Sequence, residues 1–221
     1  MIAGPVNYFL KNNLINHYQQ LDNFSLQTTT VGTFGLNHPI LCNGANLAYK
    51  KEEFNLVSGF SDNNHIASGD DIFLLEKFRN RDPKRDRFIK SKDSIITTKP
   101  QGSWKEIINQ RIRWASKTSK QKDVFSKLLG LIVFLTNLIV FIGLVLIIIN
   151  SGFISYYISF LLIKIIVDYL ILYQTSGFFK SKINILFFLI NTSIYPIITI
   201  IVVIKSFKGN YRWKERTFNS K

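Results

Sequence analysis

Two adjacent carboxylates stand where a polar loop meets an apolar run. Asp70 and Asp71 follow a serine and a glycine, and they precede the Ile-Phe-Leu-Leu of residues 72–75. Glycine permits a tight turn, and the exposed N–H groups and dipole of a helix start favour negative charge. One interpretation is a helix cap, which is the usual role of Asp before an apolar run. The other is a general base that takes a proton from a hydroxyl group.

A second stretch with possible chemistry lies about forty residues further on. Gln110 and Arg113 are three residues apart and therefore share one side of a helix, with Arg111 and Trp114 on an adjoining strip. Arginine binds phosphate through a planar fork of donors. Glutamine can bond sugar hydroxyls, and tryptophan offers a flat apolar face for a sugar ring. The alternative is a basic and aromatic anchor beside a membrane, which is common.

The composition separates a water-facing first part from a membrane part. The chain has 221 residues, of which 47% are apolar, and most of the apolar excess lies after residue 127. A net charge of +14 suits a nucleic acid, the anionic face of a membrane or a phosphate-rich substrate. The single cysteine, Cys42, excludes an internal disulfide and a cysteine zinc site. The three histidines show no metal-ligand spacing.

Three apolar stretches predict membrane helices over residues 128–149, 153–173 and 183–204. The first has 22 residues without a charge, which is long enough to cross a bilayer. Basic residues precede it and also fill the tail, so both ends are predicted to be cytoplasmic. Three full crossings cannot place both ends on one side. The middle stretch, which carries Lys164 and Asp168, is therefore predicted to be interfacial or re-entrant, and its two charges are predicted to pair at i, i+4.

The water-facing part reads as short strands alternating with helices. Strands are predicted within residues 1–10 and over 46–49, 87–89 and 94–98. Helices are predicted over 12–36, 50–60, 72–79 and 104–120, although the threonines of residues 28–30 weaken the first. Ser103 and Glu106 predict a capping box at the start of the last helix. The expected fold class is thus a partial α/β domain over residues 1–120, a basic linker over 121–127, membrane helices over 128–204 and a basic tail over 205–221.

Taken together and in order, these motifs resemble the C-terminal half of a membrane-embedded family 2 glycosyltransferase, from about residue 3 to residue 213. This inverting group includes the cellulose, chitin, hyaluronan and poly-N-acetylglucosamine synthases. The Asn-Gly-Ala-Asn-Leu-Ala-Tyr-Lys-Lys of residues 43–51 and the Val-Ser-Gly-Phe of 57–60 resemble the segments before its catalytic carboxylate. Residues 69–71 stand where the family has Thr-Glu-Asp. Residues 110–114 fit its Gln-x-x-Arg-Trp motif, and residues 213–216 are similar to its usual tail.

The resemblance implies a GT-A-like half domain and a set of site residues. Asp71 would be the general base that activates an acceptor hydroxyl, and Asp70 would support it. The acceptor and diphosphate would be bound by Gln110, Arg111, Arg113, Trp114 and His65. The same resemblance implies that Gln20 and Asp22 lie near the acceptor, and a role on a helix face explains them at least as well.

One departure from the family pattern limits what the chain is expected to do alone. The family carries its nucleotide site and a divalent metal, Mg or Mn, on an Asp-x-Asp in its first half, and no Asp-x-Asp precedes residue 60 here. The metal ligands are therefore expected outside this chain, Met1 is expected to be an internal methionine, and this segment alone is expected to be inactive. A missing N-terminal half or a separate subunit would supply the donor site.

The expected function is transfer of a sugar from a nucleotide sugar to a glycan or lipid acceptor, with inversion. The protein is expected in the inner or plasma membrane, crossing it more than once, with its catalytic part in the cytoplasm and in contact with membrane lipid. The first alternative is a non-catalytic membrane protein, either a truncated remnant or an interaction subunit. A nucleic-acid binder is disfavoured, because the basic residues cluster at the membrane ends.

Overall fold

A computed structural model describes residues 1–61, 69–82, 84–118, 123–207, 210–213 and 216–219. Its contacts divide the chain into two units. The first unit contains residues 1–102 together with 175–181, and the second contains residues 103–174 together with 182–221. The helix that follows residue 103 falls in the second unit with the long apolar helices, and the expected boundary at residue 120 stays a prediction.

Short strands form two small sheets in the first unit. β1 (Ile2–Ala3) lies between β3 (Leu47–Ala48), which is antiparallel to it, and β4 (Arg87–Phe88), which is parallel. β2 (Val6–Tyr8) pairs in parallel with β5 (Ile96–Thr98). These strands fall within the predicted stretches, but each is only two or three residues long. The GT-A-like half domain therefore stays an expectation.

The longest helix of the first unit, α1 (Leu14–Gly35), begins at Asn13, whose side-chain oxygen accepts from Asn16 N at 2.9 Å. The threonines of residues 28–30, which were predicted to weaken this helix, do not interrupt it. The hydroxyls of Thr28, Thr29 and Thr30 each donate to the carbonyl four residues earlier, at 2.8 to 3.0 Å. Because these hydroxyl groups find partners within the helix, β-branching does not end it.

Two shorter helices complete the first unit. α2 (Lys51–Leu56) ends earlier than predicted, because Ser58 and Gly59 are in the left-handed region at φ 58° and 47°. A Cβ on Gly59 would lie 2.4 Å from the Phe54 ring, so only glycine permits this close approach. α3 (Asp70–Arg81) buries Leu74, Leu75 and other apolar side chains in the core against β1 and the end of α1.

Amide side chains hold the strands and helices of the first unit together. Gln19 is fully buried, and its Nε2 donates to the carbonyl of Gln101 at 3.0 Å while its Oε1 accepts from Gln101 N at 2.7 Å. Asn46 donates to the carbonyls of Pro5 and Ser94 at 2.9 and 2.8 Å. These bonds connect segments that are 41 to 82 residues apart in the chain.

Residues 175–181 pack against α1 and so belong to the first unit. The rings of Phe24 and Phe179 stack at 5.4 Å between centroids. The hydroxyls of Thr28 and Thr175 lie 2.6 Å apart, and Gln20 Nε2 donates to Ser181 Oγ. Residues 175–181 are thereby held on α1.

The second unit contains the amphipathic helix that was expected before the membrane and three long apolar helices. α4 (Trp104–Thr118) is followed by α5 (Val124–Ile149), α6 (Ile154–Phe178) and α7 (Ile185–Phe207). Within the described chain, α5, α6 and α7 are long and apolar enough to cross a membrane, which confirms the three predicted stretches. α7 packs against both α4 and α5.

The chain ends in a hairpin of β6 (Asn210–Trp213) and β7 (Arg216–Asn219), which pair in antiparallel fashion. The backbone of β6 lies against α4. In the middle of α6, Lys164 Nζ and Asp168 Oδ2 form the predicted ion pair. Because the two charges neutralise each other, the free-energy cost of placing them within a membrane is lower.

Candidate functional site

The carboxylate pair occupies the first turn of α3. Gly69 precedes the helix at φ 107°, a left-handed conformation that glycine adopts without strain, and it takes the position of the N-cap. Asp70 and Asp71 are therefore the first two helical residues rather than the cap. Asp70 is exposed and Asp71 is half-buried. Both lie where the helix dipole stabilises negative charge.

The Asp71 side chain joins the start of α3 to a turn earlier in the chain. Its Oδ2 accepts from Gly44 N and its Oδ1 accepts from Ile72 N, both at 2.9 Å. The Cys42 thiol donates to the Asp71 carbonyl oxygen at 3.3 Å. The carboxylate thus has a fixed orientation, with one backbone donor on each oxygen.

The turn that receives Asp71 is built by Asn43. The Asn43 carbonyl accepts from Asn46 N at 3.0 Å, and its side-chain oxygen accepts from Ala45 N at 3.0 Å. Such an Asx turn leaves the intervening N–H, that of Gly44, pointing outward to the carboxylate. A Cβ on Gly44 would lie 3.4 Å from Asp71 Oδ2, which is an ordinary van der Waals contact.

The second set of candidate residues lies on α4. Ser103 Oγ accepts from Glu106 N at 3.3 Å, which is the forward bond of the predicted capping box. The Arg111 guanidinium lies 4.0 Å from the centre of the Trp114 ring, and its Nη1 donates to Gln110 Oε1 at 3.2 Å. A cation over the face of an indole ring is stabilised by the quadrupole of the ring.

Arg111 therefore organises the polar and aromatic side chains of α4. It is buried at 9% exposure, whereas Gln110, Arg113 and Trp114 are half-buried. The contact between Arg111 and Trp114 agrees with the predicted strip. Gln110 is bonded to its neighbour Arg111, a contact that the helical spacing to Arg113 did not indicate.

The remaining predicted residues have other positions. His65 lies outside the described residues, as do residues 214 and 215 of the tail motif. Gln20 and Asp22 are buried on α1 at 3% and 5% exposure, where Gln20 bonds Ser181. The helix-face interpretation therefore accounts for Gln20 without an acceptor molecule.

The structure brings Asp71 together with Cys42 and Gly44 in the first unit, and Gln110 together with Arg111 and Trp114 in the second. The roles of Cys42 and of the Gly44 N–H were not predicted, although an Asn-Gly pair is typical of a turn. Over the described ranges, no group of three His, Cys, Asp or Glu side chains is placed to hold a metal ion.

Comparison with known proteins gives no family assignment. No family model, no curated protein and no solved structure matches this chain.

Proposed function

We propose that this chain is the acceptor-side part of a membrane-bound, inverting glycosyltransferase. In the assembled enzyme, Asp71 removes the proton of an acceptor hydroxyl as that oxygen attacks the anomeric carbon of a nucleotide sugar. The new C–O bond forms on the face opposite the nucleotide, the bond to the diphosphate breaks, and the configuration inverts. The acceptor is a glycan or a lipid.

The observation that carries this proposal is the fixed, partly exposed carboxylate at the start of α3. A general base has to be held at a defined position and has to remain reachable from solvent or substrate. The bonds from Gly44 N and Ile72 N orient the Asp71 carboxylate, and its half-buried position leaves part of it accessible. Asp70 adds a second negative charge beside it.

The α4 residues suit the acceptor and the leaving diphosphate. Trp114 offers a flat surface for a sugar ring, and Arg113 supplies a cationic fork for phosphate oxygens. Arg111 keeps the Trp114 ring in place by lying across its face, and it orients Gln110 through the bond to Oε1. In this proposal Arg111 acts mainly as a positioning residue.

The donor site belongs to another polypeptide segment. Among the residues that the structure describes, no group of three His, Cys, Asp or Glu side chains could hold a divalent metal. In the proposed enzyme, Mg or Mn would neutralise the diphosphate with ligands from the donor half. An antibody against residues 81–93, used on native membranes, tests the source of that half. A species above 25.6 kDa would place it on the same chain, and a species at 25.6 kDa would require a separate subunit.

The activity is tested by incubating those native membranes with labelled nucleotide sugars, one at a time. We expect one sugar to enter a polymer or lipid product, with strong loss of incorporation in Asp71→Asn and in Trp114→Ala. No incorporation from any nucleotide sugar, with the donor half demonstrably present, would contradict the proposal.

A second candidate function is supported by the same bonds. Since both oxygens of Asp71 accept backbone N–H groups, the carboxylate also serves as a clamp between α3 and the Asn43 turn. A non-catalytic membrane subunit that retains this architecture would need nothing more from Asp71. Full transfer activity in the assembled Asp71→Asn enzyme would favour this candidate.

A further inference from the structure

The segments that precede and follow α7 each have a contact elsewhere in the chain. α7 begins at Ile185, four residues after Ser181, which is held on α1. At its other end, after residues 208 and 209, the chain enters β6, and the backbone of β6 lies against α4. The position of α4 therefore decides on which side α7 ends.

α4 lies at the side from which the first membrane helix leaves. Its fifteen residues carry five charges: Lys105, Glu106, Arg111, Arg113 and Lys117. A helix with this composition is not stable within hydrocarbon. α5 begins at Val124, shortly after α4 ends at Thr118, so α5 leaves from the α4 side. If α6 crosses the membrane back, the C-terminal end of α6 lies on the α4 side. The start of α7 follows α6 closely and β6 lies against α4, so both ends of α7 are then on the α4 side as well.

The distribution of basic residues agrees with this arrangement. The connection between α5 and α6, residues 150–153, has no Lys or Arg. The connection between α6 and α7 carries Lys180 and Lys182, the segment before α5 carries several lysines, and the tail after α7 is strongly basic. Because basic loops remain on the cytoplasmic side, only the α5–α6 connection is expected on the opposite side.

We propose that α5 and α6 cross the membrane and that α7 does not, but lies in the leaflet on the α4 side. Its partner there is the lipid of that leaflet. One stripe of α7, with Phe188, Asn191 and Ile198, is buried within the chain. Apolar side chains such as Leu186, Ile190 and Ile197 are exposed. Lysines at both ends, Lys182 and Lys205, suit anionic headgroups.

An α7 that does not cross the membrane also places both ends of the chain on one side, as the basic residues require, but it differs from the prediction of an interfacial middle stretch. The prediction made the middle stretch interfacial because that stretch has the lowest hydropathy and two charges. In the structure, the charges of α6 neutralise each other, and α6 has no part of its apolar window buried inside the protein. α7 has 28% of its window buried, against α4 and α5. Hydropathy alone does not distinguish these two environments.

Cysteine labelling tests the proposal, because Cys42 is the chain's only cysteine. In a Cys42→Ser background, single cysteines replace Ser151 in the α5–α6 connection, Lys182 before α7 and Asn219 in β7. Cells are treated with a membrane-impermeant maleimide before and after permeabilisation. We expect Ser151→Cys to react in intact cells, and Lys182→Cys and Asn219→Cys to react only after permeabilisation.

Two results would overturn the proposal. Reaction of Asn219→Cys together with Ser151→Cys in intact cells would mean that α7 crosses. Reaction of Lys182→Cys together with Ser151→Cys in intact cells would mean that α6 does not cross the membrane. Reaction of all three after permeabilisation serves as the control for reactivity.

Depth is tested separately with a fluorophore on Ile197→Cys, at the exposed face near the middle of α7. Nitroxide lipids labelled near the headgroup should quench it more strongly than those labelled near the chain end. The opposite order would place the centre of α7 at the bilayer midplane and contradict the proposal. Neither test uses transferase activity, so its result is independent of the proposed function.

Discussion

The Asp71→Asn substitution separates a catalytic role from a purely structural role of the carboxylate. Asparagine has nearly the same shape, but it offers one acceptor oxygen where the carboxylate offers two. One of the bonds from Gly44 N and Ile72 N, both now 2.9 Å long, is therefore lost, and the side-chain NH2 would face an N–H group. The negative charge in the first turn of α3 is lost as well.

The expected cost in stability is small. A hydrogen bond to a charged group contributes about 1.5–3 kcal/mol when it is buried, and the half-exposed position of Asp71 reduces this to about 1 kcal/mol. Loss of the interaction with the helix dipole adds roughly 0.3–1 kcal/mol. We therefore expect the variant to remain folded, with a total loss of about 1–2 kcal/mol.

The expected cost in rate is much larger if Asp71 is the base. A positioned general base contributes about 10²–10⁴-fold, so transfer of labelled sugar by the assembled enzyme should fall by that factor. The thermal midpoint in detergent verifies that the variant is folded, and hydrogen exchange at the Gly44 amide reports the lost bond. The matched control is Asp93→Asn, because Asp93 is an exposed aspartate in another turn. It should change neither the transfer rate nor hydrogen exchange at the Gly44 amide.

Two results would contradict a catalytic role for an oriented Asp71 carboxylate. If exchange at Gly44 becomes faster while the transfer rate stays within a few-fold of the original, Asp71 is a clamp and not a base. If exchange at Gly44 is unchanged, the bond between the two groups does not exist in solution, and the orientation argument fails.

Three further predictions concern the first unit. Gln19→Ala should lower the free energy of unfolding by about 2–4 kcal/mol, because it leaves both backbone groups of Gln101 without their partner. Gln101→Ala, which keeps those groups, should cost little in the same denaturation experiment. Lys180→Gly should raise stability by about 1 kcal/mol, because Lys180 has φ 50°, and Lys182→Gly should bring no such gain. Burial lowers the pKa of His17 below its ordinary value, so the folded state takes up its proton less readily than the unfolded chain. Stability should therefore fall as the pH drops through about 6.5, and a thermal-melt series should show a weaker decline in His17→Gln.

The membrane helices were predictable because a long apolar run without charge has few alternatives to a bilayer. The residues at which these helices begin were less predictable. α5 begins at Val124 rather than at 128, because Asp123 Oδ2 accepts from both N and Oγ of Ser126 at 2.7 Å and so extends the helix into polar sequence. The cap was present in the sequence as an Asp three residues before a Ser, but hydropathy does not register it.

The candidate site was predictable in its residue types but not in its contacts. The position of Asp71 at a helix start follows from local pattern. Its bond to Gly44, 27 residues away, depends on how β3 and α3 are placed in three dimensions. The pairing of Gln110 with Arg111 depends on rotamers, since neighbours on a helix do not ordinarily face each other.

The attachment of residues 175–181 to α1 has a consequence for biosynthesis. Chains fold from the N-terminus as they emerge from the ribosome. The contacts of Phe24 and Thr28 on α1 with this segment cannot form until more than 140 further residues have been made. The first unit therefore cannot be completed before α5 and α6 have been synthesised. An insertion defect in α5 or α6 would leave an apolar surface of α1 open to chaperones and proteases, so degradation of this protein should report on membrane insertion as much as on mutations within the first unit itself.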